Sequence, residues 1–327
     1  MERDAELWNT YLHISGGALE HQKCFWYLMN QEWNENNRKY LSSKEKLEEA
    51  GAVVHVSVTG SDRKEKIQLK DCSESHKTLG AWKNIDGSCK AQLEKIREKS
   101  EIFGANIAKA SLTMLESRMA ADRMLIPSLE FALATASLTR AECFSAHSPG
   151  LIPCIRKAGF ASTTARAIIH GPLELGGANF TSLYAAQISS QVSLLQHHLR
   201  VKGNVGDLIR INLGWMQLIA GTKNPILSDC TTELPHLDQN WIMSIRQGLN
   251  DCGGRMEIYN CPDFGILREN DVHIMDKALN TKFRRPGDLR DVNYCRLYCG
   301  VITLADACTA DGRRLAQDVY RCSTRNF

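Results

Sequence analysis

Cys295 and Cys299, with Cys252, Cys261 and Cys308 nearby, are the closest approach to a metal-binding pair in this sequence. Structural zinc commonly takes two tight pairs, each with a gap of about two to four residues. Only one such pair occurs here. On an alternating strand, expected around Tyr294 to Ile302, both thiols face one side, which suits two small core residues equally well. His197 and His198 share a helical stripe with Leu195 and Leu199. Neighbours on a helix point about 100° apart, so the two rings do not aim at one ion, and a partly exposed pair is the plain reading. Lys282, Arg284 and Arg285 suit phosphate contacts or a solvated loop. Asn179-Phe180-Thr181 has the form of a glycosylation acceptor but comes without a secretory signal. No Asp-Asp pair, Asp-x-Asp, His-Glu-x-x-His, Gly-x-Ser-x-Gly or P-loop occurs. Two-metal phosphoryl transfer needs converging acidic ligands, and no local spacing supplies them.

The elements that would position these residues change character along the chain. Asp4 to Leu12 reads as a short amphipathic helix, followed by the turn Ser15-Gly16-Gly17 and the apolar run Cys24 to Met29, best read as a buried strand. Val54, Val56 and Val58 alternate with polar residues, and Gly60-Ser61-Asp62 turns the chain into Ile67 and Leu69, a β-hairpin pattern. A third strand is expected from Thr78-Leu79 to Trp82. From about residue 90 the period becomes helical through Leu93, Ile96, Phe103, Ile107 and Ala110 toward Met119, until Pro127 interrupts it. Thr139 and Glu142 have capping-box spacing, with Pro149 and Pro153 expected to break the helix that the box would open. Three further helices are predicted, along Tyr184 to Leu199, Leu208 to Ile219 (ended by Gly221) and Trp241 to Leu249, and another from Glu269 to Leu279. The fold class is therefore α+β, mainly α, in three regions: 1–89 with the β-hairpin, a helical body at 90–222, and a mixed α/β extension at 223–327.

Composition limits the function classes. Hydrophobic residues make up 43% and charged residues 24%, a folded rather than disordered balance. A net charge of +3 permits a nucleic-acid partner without demanding one. No apolar run is long enough for a membrane span. Most of the twelve cysteines, spread from Cys24 to Cys322, read as reduced thiols packed as small hydrophobes, and the expected setting is intracellular, nucleus or cytoplasm.

Several segments, in order, give a family resemblance. Ser15-Gly16-Gly17-Ala18-Leu19-Glu20-His21-Gln22-Lys23-Cys24-Phe25-Trp26 resembles the stretch that follows the catalytic aspartate pair in retroelement reverse transcriptases. Lys77-Thr78-Leu79-Gly80, with Gly87 beyond, resembles the hairpin that grips the primer end in that family. Ile126-Pro127-Ser128-Leu129, Gly171-Pro172-Leu173-Glu174-Leu175-Gly176-Gly177, Leu213 to Thr222 and Leu297 to Asp306 are similar to C-terminal regions of retrotransposon polyproteins from diatoms and related eukaryotes.

The resemblance implies a distal palm remnant at 1–89, a thumb-like region at 90–222, and an RNA-directed DNA polymerase parent using magnesium. Lys23 falls where the family has a lysine proposed to protonate the leaving pyrophosphate, a role that contributes about 10²- to 10⁴-fold in a complete site. The family's asparagine three residues earlier is Glu20 here. The metal-binding aspartates fall before the matching region, so the resemblance implies a truncated copy that needs no cofactor of its own and at most holds a primer–template duplex. Its partners would be an RNA/DNA duplex and the missing upstream polymerase part. Lys77, Gly80, Lys83, Lys90, Lys282, Arg284 and Arg285 are the candidate nucleic-acid contacts. A reading frame preceding Met1 that encodes an aromatic-x-Asp-Asp box is the genomic expectation; intact upstream sequence without one overturns it. The alternative is a helical protein-interaction scaffold with no nucleic-acid role, for which the amphipathic helices after residue 90 suffice. A zinc-dependent binding module is the third reading.

Overall fold

The computed structural model of the chain describes residues 2–20, 23–33, 39–58, 63–78, 80–201, 203–259, 269–281, 285–317 and 319. The protein is α+β and mainly α. It divides into two compact units, 1–95 and 96–327, with the division inside the helix Lys90–Lys109.

The first unit begins with α1 (Glu2–Ile14), followed by β1 (Phe25–Tyr27), the hairpin of β2 (Gln31–Trp33) and β3 (Lys39–Leu41), and α2 (Lys44–Glu49). Next come β4 (Val54–Ser57), β5 (Lys64–Lys70), and a second hairpin of β6 (His76–Thr78) and β7 (Ala81–Lys83). β4 and β5 pair antiparallel with Val54 opposite Ile67, so the valine alternation points Val54 and Val56 into a core with Ile67. The predicted turn at 60–62 lies outside the described residues. β1 runs parallel to β5 and forms the edge of the three-stranded sheet β1-β5-β4. It is half-buried, not buried as its apolar sequence predicts. Side chains alternate across a strand: Trp26 packs on the valine core, whereas Phe25 and Tyr27 meet each other edge-on, with His76 and Lys70 against the Phe25 ring.

The opposite edge, β4, is served by α1. Glu2 accepts from the His55 backbone N–H, Glu6 from that of Ser57, and Asn9 donates to the Ser57 carbonyl. Four helical residues rise about 6 Å and two strand residues about 7 Å, so acceptors at 2 and 6 match N–H groups at 55 and 57. An edge that would otherwise invite another strand is thereby occupied.

The second unit is helical. After α3 (Lys90–Lys109) come α4 (Met114–Ala120), α5 (Ile126–Leu133), α6 (Arg140–Lys157), α7 (Arg166–His170), α8 (Leu183–Arg200) and α9 (Asn204–Ala220). The chain continues through α10 (Trp241–Asp251), α11 (Ile274–Leu279), α12 (Pro286–Cys299) and α13 (Leu304–Ala307). One core gathers Leu195, Leu213, Met216, Ile242 and Ile245 from α8, α9 and α10; another gathers Leu151, Cys154, Ile155, Ile169 and Phe180 around α6 and α7. The Thr139–Glu142 capping box opens α6, and Gly221, at φ +64°, closes α9.

Four expectations are corrected. Pro127 does not interrupt its segment: a π-helical stretch, Ala121–Leu125, joins α4 to α5, and Pro127 falls in the first turn of α5, where a missing N–H is tolerated. Pro149 and Pro153 lie inside α6 without breaking it. The compensation comes from α3, where the Ser100 hydroxyl accepts from the Gly150 N–H and donates to the His147 carbonyl. Gly104 seats its backbone directly against the Pro149 carbonyl, which Pro153 deprives of an intrahelical donor. The strand expected around Tyr294 to Ile302 is instead α12, which runs to Cys299. Its buried face is Leu289, Asn293 and Arg296, so two polar residues hide the helical period, while Tyr294 and Tyr298 point outward. The predicted helix from Glu269 begins only at Ile274, because His273 forms a β-bridge to Thr303.

Candidate functional site

The hairpin β6–β7 carries most of the candidate contacts. Gly80 has φ +95°, a left-handed conformation that favours glycine, and it turns the chain between Thr78 and Ala81. Leu79 lies outside the described residues. Register pairs Lys77 with Trp82 and His76 with Lys83. Cross-strand partners share a face, so Lys77 and Trp82 lie on one side of the hairpin and Lys83 on the other. Lys77 and Lys83 therefore do not act as one contact, although both belong to the same hairpin. Desolvation holds the Lys83 ammonium below the usual lysine range, although much of the side chain is exposed.

The Lys77 face has a second cation that the sequence does not announce. Lys95, on the second turn of α3, holds its Nζ 5.9 Å from the Trp82 ring centroid. The arrangement is fixed by Gln92, whose Oε1 accepts from the Trp82 backbone N–H at 2.8 Å. Lys77, Trp82 and Lys95 thus share one face, with the Lys95 ammonium over the indole and Lys77 at the cross-strand position beside it. Lys90 is exposed at the start of α3. The signal was available as Trp82 and Lys95, but their adjacency depends on the glutamine tie, which no local period reveals.

Lys23 is exposed and its N–H donates to the Glu20 carbonyl at 2.9 Å, in the turn after α1. The Ser15-Gly16-Gly17 segment closes that helix, with the Gly17 N–H donating to the Leu12 carbonyl. Arg285 is exposed immediately before α12; Lys282 and Arg284 lie outside the described residues. Cys295 and Cys299 stand one turn apart on α12 and line a cavity of about 520 Å³ with Ile274, Val292 and Val301. Among the described residues no three His, Cys, Asp or Glu side chains gather as a metal set. His197 and His198 close α8 with their rings 5.2 Å apart, edge to face. Among the described residues, no helix is long and apolar enough to cross a membrane.

A polar cleft of about 480 Å³ is lined by Lys223, Asp229, Glu233, Arg246 and Asp276. Two of these residues are already committed. Arg246, buried on α10, donates to the carbonyls of Ile226, Asp229 and Thr232, and burial lowers its pKa. Burial would raise the Asp229 carboxyl, but hydrogen bonds from Thr232, Thr231 and Asn224 outweigh it and hold the group well below the usual range. With their donors and lone pairs occupied, Arg246 and Asp229 shape the 224–232 loop and are not reagents for proton transfer. Arg296 and His236 act similarly at the end of α9, donating to the carbonyls of Leu218 and Ile219 and of Ala220. Those are orphan acceptors at the negative end of a helix.

No protein-family model, curated protein or solved structure matches the chain.

Proposed function

We propose that these residues correspond to the distal palm, thumb and C-terminal extension of a retrotransposon reverse transcriptase, and that they contribute a grip on a primer–template duplex. The reading rests on the family resemblance; the observation that favours it is the Lys77–Trp82–Lys95 face beside the Gly80 turn. Ammonium groups neutralise phosphates, and an indole offers a stacking surface that tolerates any base. No Asp-Asp pair lies within the sequence, so Lys23 has no metal-bound nucleotide to protonate unless other residues supply it. The parent reaction, magnesium-dependent RNA-directed DNA synthesis, and an intracellular setting belong to the same reading.

The test is equilibrium binding of the full chain to a primer–template duplex across a salt series. Affinity should fall steeply as salt rises, and Lys77→Ala should reduce the magnitude of the log–log slope by about 0.9, the value of one phosphate contact. Lys83→Ala, on the other face, should leave the slope unchanged. Salt-insensitive binding, or equal effects from both lysines, sinks the proposal.

A second reading, a protein-interaction scaffold, is favoured by α9. Its outer face exposes Val205, Leu208, Ile211 and Trp215, at 51, 64, 67 and 57%. Such a stripe on a helix whose inner face is already packed suits an apolar partner surface. Duplex binding that disappears while a Trp215→Glu substitution changes self-association would select this reading.

A further inference from the structure

On α6, Arg140, Phe144 and His147 are spaced by four and three residues, and on α7, Arg166 and His170 by four, so each set shares a helical face. The two faces meet where the Arg166 guanidinium lies 4.6 Å above the Phe144 ring centroid. His147 is 4% exposed, and its buried Nε2 has no hydrogen-bond partner; the same is true of the buried Arg166 Nη1. Orphaned buried groups are uncommon, and a charged one is the costliest kind.

The loop after α7 sets the remaining ligand. Residues 171–180 fold back along the helix, with the Ala178 and Phe180 N–H groups donating to the Ile168 and Ile169 carbonyls. Gly177 is required there, because a Cβ would sit 2.1 Å from the Gly171 carbonyl oxygen. The fold-back brings the Phe180 carbonyl 2.9 Å from His170 Nδ1. A carbonyl only accepts, so Nδ1 carries the proton and Nε2 is left as the second functional nitrogen of that ring.

The environment is cationic. Burial first, then the charges of His170 and Arg166, push His147 down to about 3. Burial, Arg166 and Arg140 also lower His170, against a smaller opposing effect of the Phe180 hydrogen bond. The carboxylate nearest in sequence, Glu142, is held by Thr139 in the capping box. Asp122, beside the Phe180 end of the loop, is likewise committed, accepting from the Thr181 N–H. Among the described residues a guanidinium and two imidazoles thus converge with no uncommitted carboxylate and are arranged for an anion with several acceptor oxygens.

We propose that the α6–α7 face is a binding site for a phosphate-type oxyanion, held by Arg166 and the imidazoles of His147 and His170. The tetrahedral oxygens accept from Arg166 Nη1 and from His147 Nε2–H, giving partners to those two orphaned atoms. His170, whose neutral ring carries its proton on Nδ1, takes up a second proton at Nε2 as the anion binds and donates from there. Phe144, 44% exposed, keeps the guanidinium plane in place from the solvent side. The proposal is independent of the duplex grip, since it uses other residues in the other unit.

The histidine Cε1–H resonances of the full chain, followed while inorganic phosphate replaces chloride at constant pH and ionic strength, provide the test. His147→Gln and His170→Gln assign the signals. Both signals should move together and saturate, and Arg166→Gln should raise the phosphate midpoint at least tenfold. Should Arg166→Gln not fold, Arg166→Lys, which keeps the charge but loses the planar fork, should raise it several-fold. Dimethyl phosphate run in parallel separates sources: equal midpoints assign a phosphodiester, and tighter inorganic phosphate a free phosphate. Absence of saturable movement, or a midpoint indifferent to position 166, overturns the site.

Discussion

Replacing Arg246 with methionine is expected to lower the stability of the 96–327 unit by about 3–4 kcal/mol, read as a shift of the urea midpoint at unchanged slope. The residue is only 4% exposed, and its guanidinium reaches three carbonyls, those of Ile226, Asp229 and Thr232, along a loop that has no regular structure of its own. Methionine fills similar volume and removes a buried charge, so desolvation by itself predicts a gain. The expected loss arises because three acceptors lose a charged donor at once, each buried orphan costing about 1–3 kcal/mol unless water reaches it. Arg246→Lys should recover less than half of the loss, since one ammonium cannot span the fan of carbonyls that a planar fork serves. A wild-type midpoint for the methionine variant would show that the loop is held by its apolar contacts, with Ile226 and Leu227 in the core, and not by the guanidinium.

Which features the sequence discloses depends on the range over which their causes act. Helices α8, α9 and α10 are legible because their apolar stripes are continuous and their ends carry local signals, such as Gly221. The β4–β5 hairpin is legible for the same reason at period two. α12 is not, because Asn293 and Arg296 occupy the buried stripe to serve other parts of the fold, Arg296 reaching the end of α9. The candidate contacts divide in the same way. Lys77 and Lys83 are recognisable as hairpin lysines, but which face each occupies is set by the register across the Gly80 turn, and one residue of register reverses it. Lys95 comes to Trp82 through Gln92, a tertiary tie with no period. The spacing of Arg140, Phe144 and His147, and of Arg166 and His170, is visible in the sequence. Their convergence needs α6 to survive two prolines and the 171–180 loop to fold back.

That survival of α6 gives the other large effect. Gly104→Ala is expected to destabilise the helical unit by about 1–3 kcal/mol, although alanine is the better helix former by about 1 kcal/mol. A Cβ at position 104 would lie 2.2 Å from the Pro149 carbonyl oxygen and 3.0 Å from its carbon, both backbone atoms that no rotamer change can move. Relief requires α3 and α6 to separate, which would stretch the Ser100 bridge to His147 and Gly150, now 3.1 and 2.9 Å. The sign of the change therefore decides between two pictures. If α3 and α6 pack as closely as Gly104 implies, the variant melts earlier and loses amide protection at Gly150, whose N–H the Ser100 hydroxyl holds. If the prolines bend α6 away from α3, alanine has room, propensity alone operates, and the variant melts later than the wild type. Ser100→Ala separates the steric part from the hydrogen-bonded part. It removes the bridge without crowding, so its expected loss of about 1–3 kcal/mol should be partly shared with that of Gly104→Ala, and the double variant should lose less than the sum.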